Sequence, residues 1–386
     1  MKKIAVFHML PSGGGIRVLR QFVEGLSPDF DLHIHQPEGA SSATNISAVE
    51  ETVYPYPMWK KPRGYLRPVA PLFLILRLLS FKRVCRRVAD NINRTADAVL
   101  VHNAMPVAAP PILQFLNIPS AYFCYEYPRH IFEKDIIQRT KSLPARLALL
   151  PLERLEKCID RKSTLNADKI ITFSNYMQQR IRDIYNRDSV IVRPGIDDSF
   201  FSPSPATGKE NSVLSVGALW PFKGHETAIR IIGLIQPEIR PNLHIVADRE
   251  YPGYRMQLVS LAQDLSVKVT IHLNISDIEL RELYRRAKTV LCCQRQEPYG
   301  LVPLESMACG TPVIALREGG FVDNIIHRRN GFLFDGSAEK GAELLFQLLS
   351  DKASIRKMTI SGRKFIKQER SIAMGTNKLG EILESL

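Results

Sequence analysis

The stretch from Leu291 to Gly320, LCCQRQEPYGLVPLESMACGTPVIALREGG, constrains the fold more than any other part of the chain. The apolar run Thr289 to Cys293 reads as a buried strand. Glu297 and Tyr299 then stand in a loop, a helix begins at about Leu301, and Pro312 to Leu316 reads as a second strand ending in Gly319-Gly320. Glu297 sits where the first strand has just ended, and Glu305 lies inside the helix on its first or second turn. Between them the N–H groups of Gly300, Leu301 and Val302 fall at the helix N-terminus, where unpaired donors and the positive end of the dipole favour an anion. Two carboxylates and a phosphate cradle in one corner suit a sugar attached to a diphosphate, because a carboxylate accepts from vicinal hydroxyls.

The 386 residues allow two domains of ordinary size, and 45% hydrophobic with 24% charged residues is the balance of a folded globular chain. Six scattered cysteines make no disulfide framework, which points to a reducing, cytoplasmic compartment. The apolar start MKKIAVFHML leads into a glycine loop and a helix rather than a cleavage site, so it reads as the first core strand. The net charge of +13 is concentrated, since ten Lys or Arg against Asp90 place +9 of it between Lys60 and Arg94. The apolar run Val69 to Leu76 inside that window is too short to cross a bilayer, which takes about 20 residues. Rimmed by Lys60, Lys61, Arg67, Arg77, Lys82, Arg83, Arg86 and Arg87, it has the make-up of a segment lying on an anionic membrane surface. The alternative is a core-facing helix with a solvated basic side. Nucleic acid is the weaker reading, because few aromatics, Tyr65, Phe73 and Phe81, interleave the charges.

Along the chain, strand Lys3 to His8, loop Gly13-Gly14-Gly15 and helix Ile16 to Leu26 open a Rossmann-like unit, but Val18 occupies the last glycine position of the dinucleotide fingerprint. Asp29 and Asp31 form an Asp-x-Asp pair where a helix gives way to strand Asp31 to His35, the end of a parallel sheet away from ligands. Further strands are expected at Ala98 to Val101, Pro119 to Tyr125, Lys169 to Phe173 and Ser189 to Val192, with helices at Pro106 to Leu116 and about Pro144 to Ala167. The hinge Arg193 to Asp197 ends a first domain, 1–193. The alternation restarts at strand Ser212 to Val216, loop Gly217 to Gly224 and helix His225 to Ile235, giving a second domain, 194–370, followed by a terminal helix, 371–386.

The segment EPYGLVPLESMACGTPVIA, with Glu297 and Glu305 in an E-x7-E spacing and Gly319-Gly320 in register, resembles the signature of the GT4-type retaining glycosyltransferases of the GT-B fold. The resemblance is strong from Ser212 to Gly331 and weaker before. It implies an α/β chain of two Rossmann-like, doubly wound parallel-sheet domains facing a cleft, with a nucleoside diphosphate sugar held mainly by the second. By this likeness Glu297 contacts the sugar hydroxyls and Glu305 the ribose diol. Lys223, Tyr299 and the N–H groups of Gly300, Leu301 and Val302 belong to the donor site, and Gly14 and Gly15 match the family's glycine-rich loop. Tyr122 to Arg129 resembles the family's C-H-x-P-P-R segment, with Tyr125 at the histidine position and Arg129 matching, which makes these two the acceptor-side residues. Ala218 stands where the family has an arginine on the diphosphate, leaving Lys223 with help from Arg249 or Arg295. The implied reaction is metal-independent transfer of a hexosyl group to a saccharide or lipid-linked acceptor, without a cofactor, and by family habit in cell-envelope polysaccharide synthesis. Two rivals stay open: another GT-B activity such as a sugar-nucleotide epimerase or a phosphorylase, and a degenerate relative that binds a membrane or partner.

Overall fold

The computed structural model describes residues 1–43, 49–57, 70–133, 143–204 and 208–386. Its backbone forms two units, Met1–Pro194 with Ala373–Leu386, and Gly195–Ile372, so the chain passes between them twice.

The first unit is built on seven strands: β1 (Lys3–Met9), β2 (Asp31–Pro37), β3 (Glu50–Tyr54), β4 (Ala98–Ala104), β5 (Ser120–Phe123), β6 (Lys169–Thr172) and β7 (Val190–Ile191). They lie in the order β3-β2-β1-β4-β5-β6-β7, every pair parallel. Central parallel strands are covered on both faces and must be apolar throughout. β4 accordingly buries all its residues and β1 all but Lys3. Helix α1 (Gly14–Leu26) covers one face with Val18, Leu19, Phe22 and Val23. Helices α2 (Ala70–Thr95) and α3 (Leu143–Asn166) cover the other, where Phe7, Phe81, Val88, Val101, Tyr122 and Ile159 share one core. Two expectations change here. The helix expected over Pro106 to Leu116 is only a 3₁₀ turn at Pro111–Gln114, because Pro106, Pro110 and Pro111 have no N–H to give a helix ladder. Strand β3, too charged to announce itself as EETVY, pairs with β2 at the sheet edge.

The second unit has six parallel strands: β8 (Ser212–Val216), β9 (Asn242–Ala247), β10 (Val269–Leu273), β11 (Thr289–Cys292), β12 (Val313–Leu316) and β13 (Phe332–Phe334). Their order is β10-β9-β8-β11-β12-β13. Helix α4 (His225–Gly233) follows β8, and α5 (Leu301–Ala308) joins β11 to β12. Helix α6 (Ile372–Glu384) ends the chain on the first unit, where Lys2 Nζ donates to the Leu383 carbonyl at 3.0 Å.

In each sheet the crossovers run outward in both directions from one central pair, β1 with β4 and β8 with β11. At such a switch point the loops leaving the strand C-termini part and leave a crevice, the usual ligand position in an open α/β sheet. Asp29 and Asp31, by contrast, sit at the N-terminal edge, where β2 begins.

Candidate active site

In the second unit the loop after β8 carries Lys223 and the loop after β11 carries Glu297, so the switch point brings both side chains together. Lys223 Nζ and Glu297 Oε2 are 3.0 Å apart, and each side chain is about a quarter exposed. Several contacts fix this geometry. The Glu297 carbonyl accepts from the Gly320 N–H at 2.7 Å, and a Cβ on Gly319, whose φ is +62°, would lie 2.5 Å from that same carbonyl oxygen. Gly224 has φ +75°, and a Cβ there would sit 2.0 Å from the Cys293 carbonyl oxygen. The loop bearing Lys223 therefore reaches the end of β11 only with glycine at 224. Gly224→Ala should lower the stability of this unit by about 2 kcal/mol or more, read as an earlier thermal transition. An unchanged melt would contradict the close approach.

Two residues that the motif reading missed hold this loop from below. His225 is fully buried, with Ser215 Oγ 3.0 Å from its Nδ1 and the Gly217 carbonyl 3.0 Å from its Nε2. Burial pulls its pKa down to about 4, so the ring is neutral near pH 7: Nδ1 accepts from Ser215 and Nε2–H donates to the loop. Gln294, 3% exposed, donates from Nε2 to the Val216 carbonyl at 2.8 Å, while its Oε1 is buried without a hydrogen-bond partner. Neither carries a spacing signal, since their roles arise only from β8 and β11 being neighbours.

Gly300 caps α5 with no side-chain hydrogen bond, so the first-turn N–H groups of Leu301 and Val302 point outward from the helix start. Glu305 lies in the second turn, 2% exposed, and its Oε2 accepts from the Tyr284 hydroxyl at 2.8 Å. Tyr299 is 4% exposed and its carbonyl accepts from Asn324 Nδ2 at 2.7 Å, so its ring packs into the core beneath the loop. The arginines expected to assist Lys223 are engaged in surface pairs, Arg249 with Asp248 at 3.3 Å and Arg295 with Glu318 at 2.7 Å. A cation, a carboxylate and an uncapped helix N-terminus thus surround the β8/β11 switch point. Such a set can neutralise a diphosphate and accept from hydroxyls.

In the first unit Gly14 and Gly15 begin α1, and the Tyr125 ring lies across Gly15, where a Cβ would be 3.3 Å from it. Tyr125 is buried and its hydroxyl has no hydrogen-bond partner, while its N–H donates to Asn103 Oδ1 at 3.0 Å. Arg129, 6% exposed, donates to Glu133 at 2.6 Å and pairs with Glu126 at 3.4 Å. It is therefore built into a local network with Tyr127, which also bonds Glu133, and Tyr176. His130 pairs with Glu156 at 3.0 Å. Sequence reasoning passed over His8 and His102, buried at the β1/β4 switch point. Both are fully covered, and burial drives His8 to about 3 and His102 well below its ordinary value.

Along its whole length the chain has the fold of several solved sugar-transferring enzymes. It matches sucrose-phosphate synthase from Thermosynechococcus elongatus with a TM-score of 0.79 at 19% identity, covering 100% of this chain and 99% of that one. It matches HepE from Anabaena, solved with UDP and glucose, with a TM-score of 0.74 at 17% identity and full coverage of both chains. The fold class is GT-B, two Rossmann-like parallel-sheet domains. Residues 196–365 match the family model of the glycosyl transferases group 1, and the second unit belongs to that family. D-inositol 3-phosphate glycosyltransferases from Acidothermus cellulolyticus and Mycobacteroides abscessus are 30% and 28% identical over 191 and 209 residues, 44% and 49% of this chain. The matched stretch spans 43% and 46% of those relatives, less than half their length.

Proposed function

We propose that the chain transfers a hexosyl group from a nucleoside diphosphate sugar to a hydroxyl of a saccharide or lipid-linked acceptor, with retention at the anomeric carbon and without a metal ion. The observation that carries this reading is the Lys223–Glu297 pair beside the uncapped N-terminus of α5. The bond from the anomeric carbon to the diphosphate breaks, and Lys223 with the N–H groups of Gly300, Leu301 and Val302 takes up the charge that develops on the leaving phosphate. The acceptor oxygen bonds to the same face of that carbon, and its proton passes to the departing phosphate oxygen. Glu297 holds the sugar hydroxyls once the diphosphate draws Lys223 away. Glu305 orients the ribose from inside α5. Cell-envelope saccharide synthesis is the setting we propose for the acceptor.

Uridine nucleotides lead the test because HepE was solved with UDP and with UDP-glucose. A ligand at a hundred times its Kd adds about 2.7 kcal/mol of stability, which raises a Tm by roughly 5–10 °C at this domain size. A shift with one nucleoside diphosphate, lost in Lys223→Ala, is the expected result. No shift with any of them favours a binding protein instead, because Ala218 has then removed too much of the diphosphate site.

A further inference from the structure

Helix α2 is longer than the sheet it covers. Its 26 residues span about 39 Å, whereas a seven-residue strand spans about 23 Å. Apart from Ala70, its buried residues run only from Leu78 to Ile92, about 21 Å, which matches the sheet. The stretch Pro71 to Arg77, about 10 Å of helix, overhangs the core, yet six of its seven residues are apolar. Leu72, Leu76 and Leu79 are exposed by 55%, 40% and 37%. At helical spacing these three share one stripe with Arg83, Arg86, Arg87, Asp90 and Arg94, all exposed. The solvent face of α2 therefore changes from leucine to arginine along its length, and Asp90 is its single acid.

A second helix carries an exposed leucine at the same edge of the unit. Helix α3 packs beside α2 on the same face of the sheet and, like α2, follows a parallel strand and runs back to the next, so both begin at the strand C-termini. Leu147, in the first turns of α3, is 58% exposed. Exposed leucines at one edge with arginines a few turns below form an apolar patch rimmed by positive charge, the make-up of an interaction surface.

We propose that the overhang of α2 is an interfacial anchor for an anionic lipid bilayer, with Leu72, Leu76 and Leu79 entering the acyl boundary and Arg83, Arg86 and Arg87 against the headgroups. The charge sign and the order along the helix select this occupant. A second copy of the chain would bring the same arginines together, and a nucleic acid would leave the leucines in water. Lys60, Lys61 and Arg67, also expected on such a surface, lie outside the described residues. No helix among the described residues is long and apolar enough to cross a membrane, so the anchor rests on the surface.

The test is co-sedimentation of the full chain with vesicles of phosphatidylcholine containing phosphatidylglycerol, against vesicles of phosphatidylcholine alone. Retention on the anionic vesicles at low salt is expected. Each basic residue near such a surface contributes about a fivefold factor, so Arg83→Gln with Arg87→Gln should weaken retention about 25-fold. Leu72→Ser with Leu76→Ser should abolish it even at low salt. All four positions are exposed, so circular dichroism melts of these variants should equal the parent. Failure of the parent to sediment, or variants that sediment as the parent does, would overturn the anchor. A parent that is dimeric by light scattering and becomes monomeric in the leucine variant would assign the face to a second copy instead. The nucleotide-induced Tm shift, measured on the same variants, should be unchanged. In the parent, no vesicle retention with an intact nucleotide response refutes only the anchor, and vesicle retention with no nucleotide response refutes only the donor site.

Discussion

Glu297→Ala and Lys223→Ala each lower the rate of glycosyl transfer by roughly 10²–10³-fold while leaving the melting curve nearly where it was. The two halves of this expectation come from different links of the argument. The ion pair is about a quarter exposed on both sides, and such pairs contribute at most about 1 kcal/mol to stability, so the fold does not depend on it. Its position depends on the backbone around Gly224 and Gly319, which neither substitution touches. The rate depends on it because Lys223 is paired with Glu297 itself at the β8/β11 switch point, so a bound diphosphate can take over the cation. Arg249 and Arg295 are engaged in surface pairs with neighbouring acids, and Ala218 offers no charge. Lys223→Arg should recover only part of the rate, because a planar guanidinium cannot take the place of a compact ammonium that reaches over Gly217. The double variant should be barely slower than either single one, since each removes the function of the pair. Measured transfer or donor hydrolysis within tenfold of the parent in both single variants would take the pair out of the reaction.

The strand–loop–helix–strand order around Glu297 is legible in the sequence because each element there is set by local rules: an apolar run, a turn with glycine and proline, a helix start. Those rules also carry the alternation of both units, and with it the two parallel sheets. They fail where a side chain's partner comes from elsewhere in the chain. Arg129 looks like an available cation in a motif, yet four residues later Glu133 takes it into a buried pair. Tyr299 looks like a loop residue and is core. His225 and Gln294 look like nothing, and they hold the loop that carries Lys223, because β8 and β11 are neighbours in the sheet though 72 residues separate their closest ends. The over-read helix at Pro106 to Leu116 is a different failure: its apolar spacing is helical, and three prolines overrule it.

The histidines missed in the first unit lead to the other large effect, a loss of stability in mild acid. His8 and His35 have their pKa values drawn down to about 3 by burial, and His102 lies well below its ordinary value for the same reason. In the unfolded chain each titrates near 6.5. Between these limits the unfolded state binds the extra protons, so stability falls as pH drops below about 6.5 and keeps falling until the folded pKa is reached. Each histidine contributes up to about 1.4 kcal/mol per pH unit. One group acts in the opposite sense: burial raises Asp160 to about 6, so folded Asp160 takes up a proton that the unfolded chain does not until lower pH. The balance is about two protons, or nearly 3 kcal/mol per pH unit, against a total stability for a domain of roughly 5–15 kcal/mol. The first unit should therefore open between about pH 6 and pH 4.5. In the second unit burial draws His225 down to about 4 and lowers His244 and His327 less far, so it should hold longer. Hydrogen exchange separates the two, since amides of β1 and β4 should lose protection at a higher pH than those of β8 and β11. Replacing both His8 and His102 by Gln keeps a polar side chain but removes two titrating groups, so the slope should flatten whatever the variant's stability at pH 7. Equal protection of β1 and β8 down to pH 4.5, or an unchanged slope in the double variant, would mean that the two rings are solvated in the folded chain and that the β1/β4 switch point is open to water.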